Sequence, residues 1–497
     1  MERQAKPTRT TFAILYTAAI CAVVASMTLF GYSLHDALPV LGSLLVSCGV
    51  PLLVYRHTRH YSAVGEVALL FAAMAMSLFV VNTIYGATIA QGHPFSAPIL
   101  THDDNRYFKW ALWRYDGSVR APACTFIGYP LMLVGTWKVL GVSVVWPLAL
   151  NVMATLFAFI LTARTAEVLL EGRVEARPTV VHATALILCA GLFYLLSQSG
   201  QVQKEAMSYL AFALVGYALA VFARKRGERL PWQAWTAFLL GSVIMAMVRT
   251  NFVYFFAIGA IIITLGCPKR RYMQGTALFL ISAAAFYGGI VLSSYSFQQQ
   301  FLTIAGGAEM QNAFTIRGAQ QPYLAFIGQY HSFPVWRRIL LLPLTASVQF
   351  VIPFPWVYDR MGNGITVSQV LTRTRWMWYV VGGISLYYYF FVAWRRREGL
   401  GSWAWWPATI FGLVAYIIGG TVSRYILPIE LIFVPTAVYI ILRLREGHYR
   451  RSFTVWAVSY IIVLTVTLVV CYHIQTGYLD SLEEYYRQFD KDAVSTK

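Results

Sequence analysis

Stretches of about 20 apolar residues, each long enough to cross the hydrocarbon core of a bilayer, recur along this chain. They begin near Phe12, Leu38, Glu66, Ser143, Val180, Glu205, Trp232, Phe252, Gly275, Met377, Trp403, Tyr425 and Phe453. In lipid, every backbone N–H and C=O must find its partner within the protein, so such runs fold as helices. The composition leaves little room for anything else: 58% of the 497 residues are hydrophobic and 12% are charged. A soluble domain carries about 25% charged residues. The expected fold class is therefore an all-α membrane protein.

Two further apolar runs, Thr125 to Val142 and Ile339 to Val357, are short or interrupted by Pro130, Pro343, Pro353 and Pro355. Charge decides how they sit. With the N-terminus cytoplasmic and neither short run crossing alone, every dense basic tract falls on one side. These tracts are Arg56 to Arg59, Arg164 to Arg177, Arg224-Lys225-Arg226, Lys269-Arg270-Arg271, Arg395-Arg396-Arg397 and Arg443 to Arg451. The expectation is a polytopic bundle of about 13 spans plus two re-entrant or interfacial segments, with external loops at about 91–124 and 295–337. One polytopic transmembrane domain then covers residues 1–475, and 476–497 form an acidic external tail. The apolar run after Arg3, Lys6 and Arg9 has no small-residue cleavage site behind it and reads as an uncleaved signal anchor.

The formal charge of +18 is absorbed by these short tracts. No basic face with interleaved aromatics stands apart from them, which argues against nucleic acid as a partner. The six cysteines (Cys21, Cys48, Cys124, Cys189, Cys267, Cys471) show no paired spacing and mostly lie in apolar runs, so they read as small buried side chains.

The same orientation gathers polar residues on the external face. The first long loop carries His102-Asp103-Asp104-Asn105-Arg106 and then a short stretch whose Tyr107, Phe108, Trp110, Ala111 and Leu112 share one flank of an interfacial helix. Lys204-Glu205, Arg249, Arg317, His331 and Arg424 fall on that face too. Arg337 and Arg338 read as snorkelling anchors, whereas Glu430 lies deep enough to need a cavity or a cation. Glu66 and His182 sit near the cytoplasmic ends of their runs and read as interface or capping groups.

Adjacent acids on a loop point different ways. One of Asp103 and Asp104 can cap the helix that follows while the other faces a cavity. A carboxylate at the membrane surface can act as a general base or bind a divalent cation. Arginine suits a phosphate-bearing substrate, because its fork donates two parallel bonds to phosphate oxygens.

The acidic pair, Tyr107, the stretch Phe126-Ile127-Gly128-Tyr129-Pro130-Leu131-Met132-Leu133, the turn Trp137-Lys138-Val139-Leu140-Gly141 and the span bearing Asn151 resemble polytopic glycosyltransferases of the C-type fold. Protein mannosyltransferases and the lipid A aminoarabinose transferase belong to that group. The resemblance covers roughly residues 100–165. Pro353-Phe354-Pro355-Trp356 and Gly420 to Pro428 resemble, more loosely, bacterial membrane proteins of surface-polysaccharide assembly. The resemblance implies transfer of a sugar from a polyprenyl-phosphate carrier to a glycan or lipid acceptor, outside a bacterial inner membrane. It makes Asp103 or Asp104 the base and assigns Arg106, Tyr107, Lys204, Glu205, Arg249, Arg317 and Arg424 to substrate binding. One departure stands out: in the family the acidic loop follows the first span, and here it follows the third. An O-antigen-polymerase-like enzyme, which joins lipid-linked repeat units, would place the weight on Arg249, Arg317 and Arg424 instead. A flippase or transporter of lipid-linked glycans is the reading from another class, but the two broken runs do not occupy matching places in two halves, as inverted repeats would.

Overall fold

The computed structural model describes residues 9–100, 102–117, 128–224, 230–267, 271–292, 333–351, 375–392, 400–418 and 426–469. Among them every regular element is helical. Nine segments are long and apolar enough to cross a membrane, or up to ten when one bent pair is taken as a span. The protein is an integral membrane helix bundle.

The first three helices, α1 (Arg9–Leu29), α2 (Leu34–Arg56) and α3 (Ala63–Ala87), show how the chain reverses. Ser33 and Ser62 lie in extended backbone just before α2 and α3, and their hydroxyls accept from the Asp36 and Gly65 amides. Each satisfies one donor that a helix start would otherwise leave orphaned. At one end of the trio, Glu66 of α3 accepts from Tyr16, Arg56 and Tyr61. At the other end the Tyr32 hydroxyl donates to the Val81 carbonyl at 2.6 Å.

That pattern holds throughout the bundle. After α4 (His102–Tyr115) and α5 (Gly128–Leu140), α6 (Val145–Leu170) brings Asn151 to the end away from Glu66 and Glu167 to the end near it. There Glu167 meets His60 at 3.2 Å and His182 at 2.6 Å, and also holds Arg164. Next, α7 (Pro178–Ala190) and α8 (Phe193–Ser199) are bent by 68°. An unbroken span was expected from Val180. Leu192 leaves helical backbone (φ −77°, ψ 63°) and breaks the ladder, while Met377 fills the space that a side chain at Gly191 would need.

Then come α9 (Glu205–Arg224), α10 (Trp232–Arg249) and α11 (Val253–Leu265). The apolar stretch Trp232–Leu265 is 34 residues long. As one rod it would measure about 50 Å, well beyond a bilayer core of about 30 Å. Contacts show that it doubles back at Thr250–Phe252. Arg249 reaches Glu205 at the start of α9, whereas Phe256 packs edge-on against Phe212 at 5.0 Å. Past α11, Arg271 donates to the Phe222 carbonyl near the end of α9. The runs beginning at Trp232 and Phe252 are thus separate legs. Small residues let the legs close up: a Cβ at Gly241 would stand 2.8 Å from the Ala211 carbonyl.

The chain continues through α12 (Tyr272–Leu292) and two short helices, α13 (Val335–Leu340) and α14 (Leu342–Val351). It resumes at α15 (Trp376–Gly382), which passes through a π-helical stretch at Gly383–Tyr388 into α16 (Tyr389–Val392). Then come α17 (Ser402–Ile418), α18 (Leu427–Arg445) and α19 (Arg450–Val469). Among the described residues, the two runs expected not to cross alone hold short helices: α5 has 13 residues, α13 six and α14 ten. In the centre, α6, α9 and α18 bury apolar side chains all round, and α1 and α19 sit at the rim with apolar faces exposed, as lipid requires.

The two ends differ in chemistry. Arg56, Arg164, Arg173, Arg177, Arg224, Arg271, Arg443 and Arg450 gather at the end that holds Glu66 and Glu167. We call it the basic end.

Candidate functional site

At the opposite end the pieces converge on the short loop between α8 and α9. Asn151 of α6 holds it down. Its amide donates to the carbonyls of Gln201 at 2.7 Å and Gln203 at 3.0 Å, and more weakly to the Tyr129 hydroxyl at 3.4 Å. One side chain thereby fixes the residues that lead directly into Lys204 and Glu205. Asp104 grips the same loop from the other side, its Oδ2 accepting from the Val202 amide at 3.2 Å.

Asp104 is carried there by α4, which is amphipathic as expected. Tyr107, Phe108, Trp110 and Ala111 are buried, Leu112 is half-buried, and Arg106 and Lys109 are exposed. Asp104 stands three and four residues before Tyr107 and Phe108, so it shares their flank. That flank rests on α5, with Phe108 edge-on to Trp137 at 4.8 Å and Tyr107 edge-on to Tyr129 at 5.6 Å. In turn α5 is docked by Gly128, where a Cβ would stand 2.3 Å from Met247 Cβ and 2.4 Å from the Met247 carbonyl.

Lys204 and Glu205 complete the cluster with Arg249. The Lys204 ammonium lies over the Tyr107 ring, 5.4 Å from its centre, a cation–π contact that bridges the loop to α4. Glu205 opens α9, where the helix dipole favours a carboxylate, and Oε1 accepts from Arg249 Nη2 at 2.5 Å. Asp104 holds the Val202 amide, and Glu205 follows three residues on, so the two carboxylates flank one short loop. Asp104, Lys204, Glu205 and Arg249 are all buried, and together their charges balance.

No family model, curated protein or solved structure matches this chain. The chemistry of the site has to be argued from its own residues.

Of the residues singled out in the sequence, Asp104, Tyr107, Lys204, Glu205 and Arg249 come together, although Lys204 stands 100 positions from Asp104 in the chain. Arg106 lies on the exposed flank of α4, apart from them. The backbone of Asp103 opens α4, but its side chain lies outside the described residues, as do Arg317 and Arg424. Arg249 is engaged by Glu205, so a phosphate ligand would compete with that carboxylate for the guanidinium. Among the described residues no three His, Cys, Asp or Glu side chains converge as a metal site.

Several contributors escaped the sequence reading. Asn151 was noticed only as a landmark, yet it is the clamp of the site. Arg375 went unremarked, although Glu430, flagged for its depth, finds its cation there at 2.7 Å from Nε. The available signal was an arginine placed at the head of the Trp376 run.

Proposed function

We propose that the protein is a membrane glycosyltransferase that moves a sugar from a polyprenyl-phosphate-linked donor to a glycan or lipid acceptor on the external face. The observation that carries this reading is the buried cluster of Asp104, Lys204, Glu205 and Arg249, held at the end of the bundle away from the basic residues. The positive-inside rule makes the basic end cytoplasmic, which puts the cluster outside and the N-terminus inside. The direction of each described leg fits about 13 crossings, with α4, α5, α13 and α14 as interfacial or re-entrant pieces, in a bacterial inner membrane.

In this mechanism the Asp104 carboxylate takes the proton from an acceptor hydroxyl. The oxygen so freed forms a bond to the anomeric carbon, and the bond from that carbon to the phosphate oxygen breaks. The carrier phosphate departs with the electron pair. Lys204, beside Tyr107, is placed to offset its developing charge, with Arg249 joining if Glu205 releases it. A positioned general base contributes about 10²–10⁴-fold. Membranes bearing Asp104→Asn are therefore expected to lose at least a hundredfold in transfer from a panel of polyprenyl-phosphate hexoses and pentoses, with insertion unchanged. Full activity in Asp103→Asn, Asp104→Asn and the double variant would refute the assignment. Joining of lipid-linked repeat units is the competing reading. It leans on free arginines, and it is less well supported because Arg249 is buried against Glu205.

A further inference from the structure

At the basic end the turn between α18 and α19 opens a groove that the proposed mechanism does not use. Phe391 near the end of α16, Tyr449 of the turn, and Arg450, Arg451, Val455 and Trp456 of α19 line it. Its volume is about 760 Å³, within the range of about 300–1,000 Å³ that small-ligand sites occupy. The two ends of the groove differ. Arg450 and Arg451 stand exposed at the mouth, while Val455 and Trp456 form an apolar wall between one and two helical turns further on. The lining reaches Ser459, so along α19 it covers about 14 Å. That is close to half of a hydrocarbon core of about 30 Å. The groove thus runs from the interface through the depth of one leaflet, basic at the mouth and apolar beyond it.

Packing fixes the wall. The Tyr388 hydroxyl donates to the Tyr449 carbonyl at 3.3 Å and lies 3.0 Å from Ser452 Oγ, and its ring meets that of Trp456 at 5.1 Å. Trp456 also stacks on Tyr460 at 4.9 Å. The charges at the mouth are uncompensated. Glu446, the acid nearest in sequence, is engaged by Arg443 at 3.0 Å and by the Glu175 amide at 2.6 Å. Among the described residues neither Arg450 nor Arg451 forms an ion pair. The one side-chain hydrogen bond of Arg450 runs from Nε to the Leu444 carbonyl at 3.5 Å, which leaves its Nη groups to a ligand.

We propose that this groove binds one anionic glycerophospholipid from the leaflet at the basic end. The two guanidinium groups take the phosphate, for which arginine offers paired donors, and an acyl chain lies along Val455 and Trp456. Basic pockets between helices at a membrane interface suit anionic headgroups in this way. The same charges select against zwitterionic lipid. A choline or ethanolamine cation would meet Arg450 and Arg451 there, with Glu446 already engaged. Lipid binding at this place rests neither on the transferase reading nor on which way the bundle faces.

The test is native mass spectrometry of the delipidated full-length protein in a neutral detergent. It is titrated with dioleoyl phosphatidylglycerol and, separately, with dioleoyl phosphatidylcholine, and the first bound lipid is scored. Phosphatidylglycerol is expected to bind at least tenfold more tightly. Arg450→Gln/Arg451→Gln should abolish that preference, a loss on the order of two interfacial charges. Arg59→Gln/Arg177→Gln removes two exposed arginines at the same end outside the groove and should keep it. Val455→Trp fills the apolar wall and retains both arginines, and it is expected to weaken phosphatidylglycerol at least threefold. All these side chains are exposed, so the variants should fold. Glycerol phosphate, a headgroup without chains, should not displace the lipid at a hundredfold excess. The lipid site is overturned if wild type does not distinguish the two lipids, or if both double variants lose the preference equally. It is overturned as well if Val455→Trp binds like wild type, or if glycerol phosphate displaces the lipid, which would make a free phosphate the ligand.

Discussion

Replacing Arg375 by methionine should be among the most damaging single changes in the bundle. The Arg375 side chain is 0% exposed and that of Glu430 is 1% exposed. The guanidinium contacts the same carboxylate oxygen through Nε and Nη2, and its carbon lies 5.0 Å from the centre of the Trp378 ring. Arg375→Met keeps most of the bulk and removes the charge, leaving a carboxylate in an apolar interior. Removing one partner of a buried pair costs about 3–5 kcal/mol. Coulomb's law gives a compatible figure of about 4 kcal/mol for charges about 4 Å apart at an effective dielectric constant of about 20. A loss of that size lowers the folded-to-unfolded ratio by at least a hundredfold, at about 1.4 kcal/mol per factor of ten. The double variant Arg375→Met/Glu430→Leu should recover most of it, since apolar replacement of a whole buried pair is often neutral or stabilising. Unfolding in mixed micelles of mild and denaturing detergent, followed by tryptophan fluorescence, measures all four corners of the cycle. The reasoning fails if Arg375→Met lies within 1 kcal/mol of wild type, a bound set well below the expected ~3–5 kcal/mol. It fails equally if the double variant loses the sum of the two singles, because the residues would then not be coupled.

Two other expectations concern the site and its sidedness. Gly128→Ala places a methyl group against the Met247 backbone, so α5 must move away from α10 and carry Tyr129 with it. Transfer activity and melting temperature should both fall, with a cost of about 1–3 kcal/mol as for other overpacked contacts; a variant indistinguishable from wild type would show that the α5–α10 contact is slack. On a cysteine-free background, an impermeant thiol reagent added to intact cells should label Asp103→Cys and spare Lys225→Cys. The opposite pattern would invert the bundle and place the Asp104 cluster in the cytoplasm.

Local signals in the sequence were enough for most of the described helices, though not for the break between α7 and α8, and for the contrast between the ends of the bundle. Apolar runs form helices wherever lipid denies the backbone other partners, and arginines outside those runs can only collect beyond the membrane. The buried flank of α4 was legible for the same reason, since the spacing of Tyr107, Phe108, Trp110 and Ala111 sets a helical stripe. Asp104, Lys204 and Arg249 could be named as candidates because charge next to apolar runs is costly and therefore conspicuous. Which of them meet was not legible. Asp104 finds Val202 98 positions away, Arg249 finds Glu205 44 away and Arg375 finds Glu430 55 away. Each pairing depends on how rigid helices pack, and packing depends on shape: the notch at Gly128, the close approach at Gly241, the bend after Ala190. The role of Asn151 is of the same kind, because an amide in an apolar run reads as core filler until the loop it clamps is in place. Sequence determined that this chain lives in a membrane and has two chemically distinct ends. Only the tertiary structure decided which buried charges meet, Arg249 with Glu205 and Arg375 with Glu430, because helix packing sets those pairings.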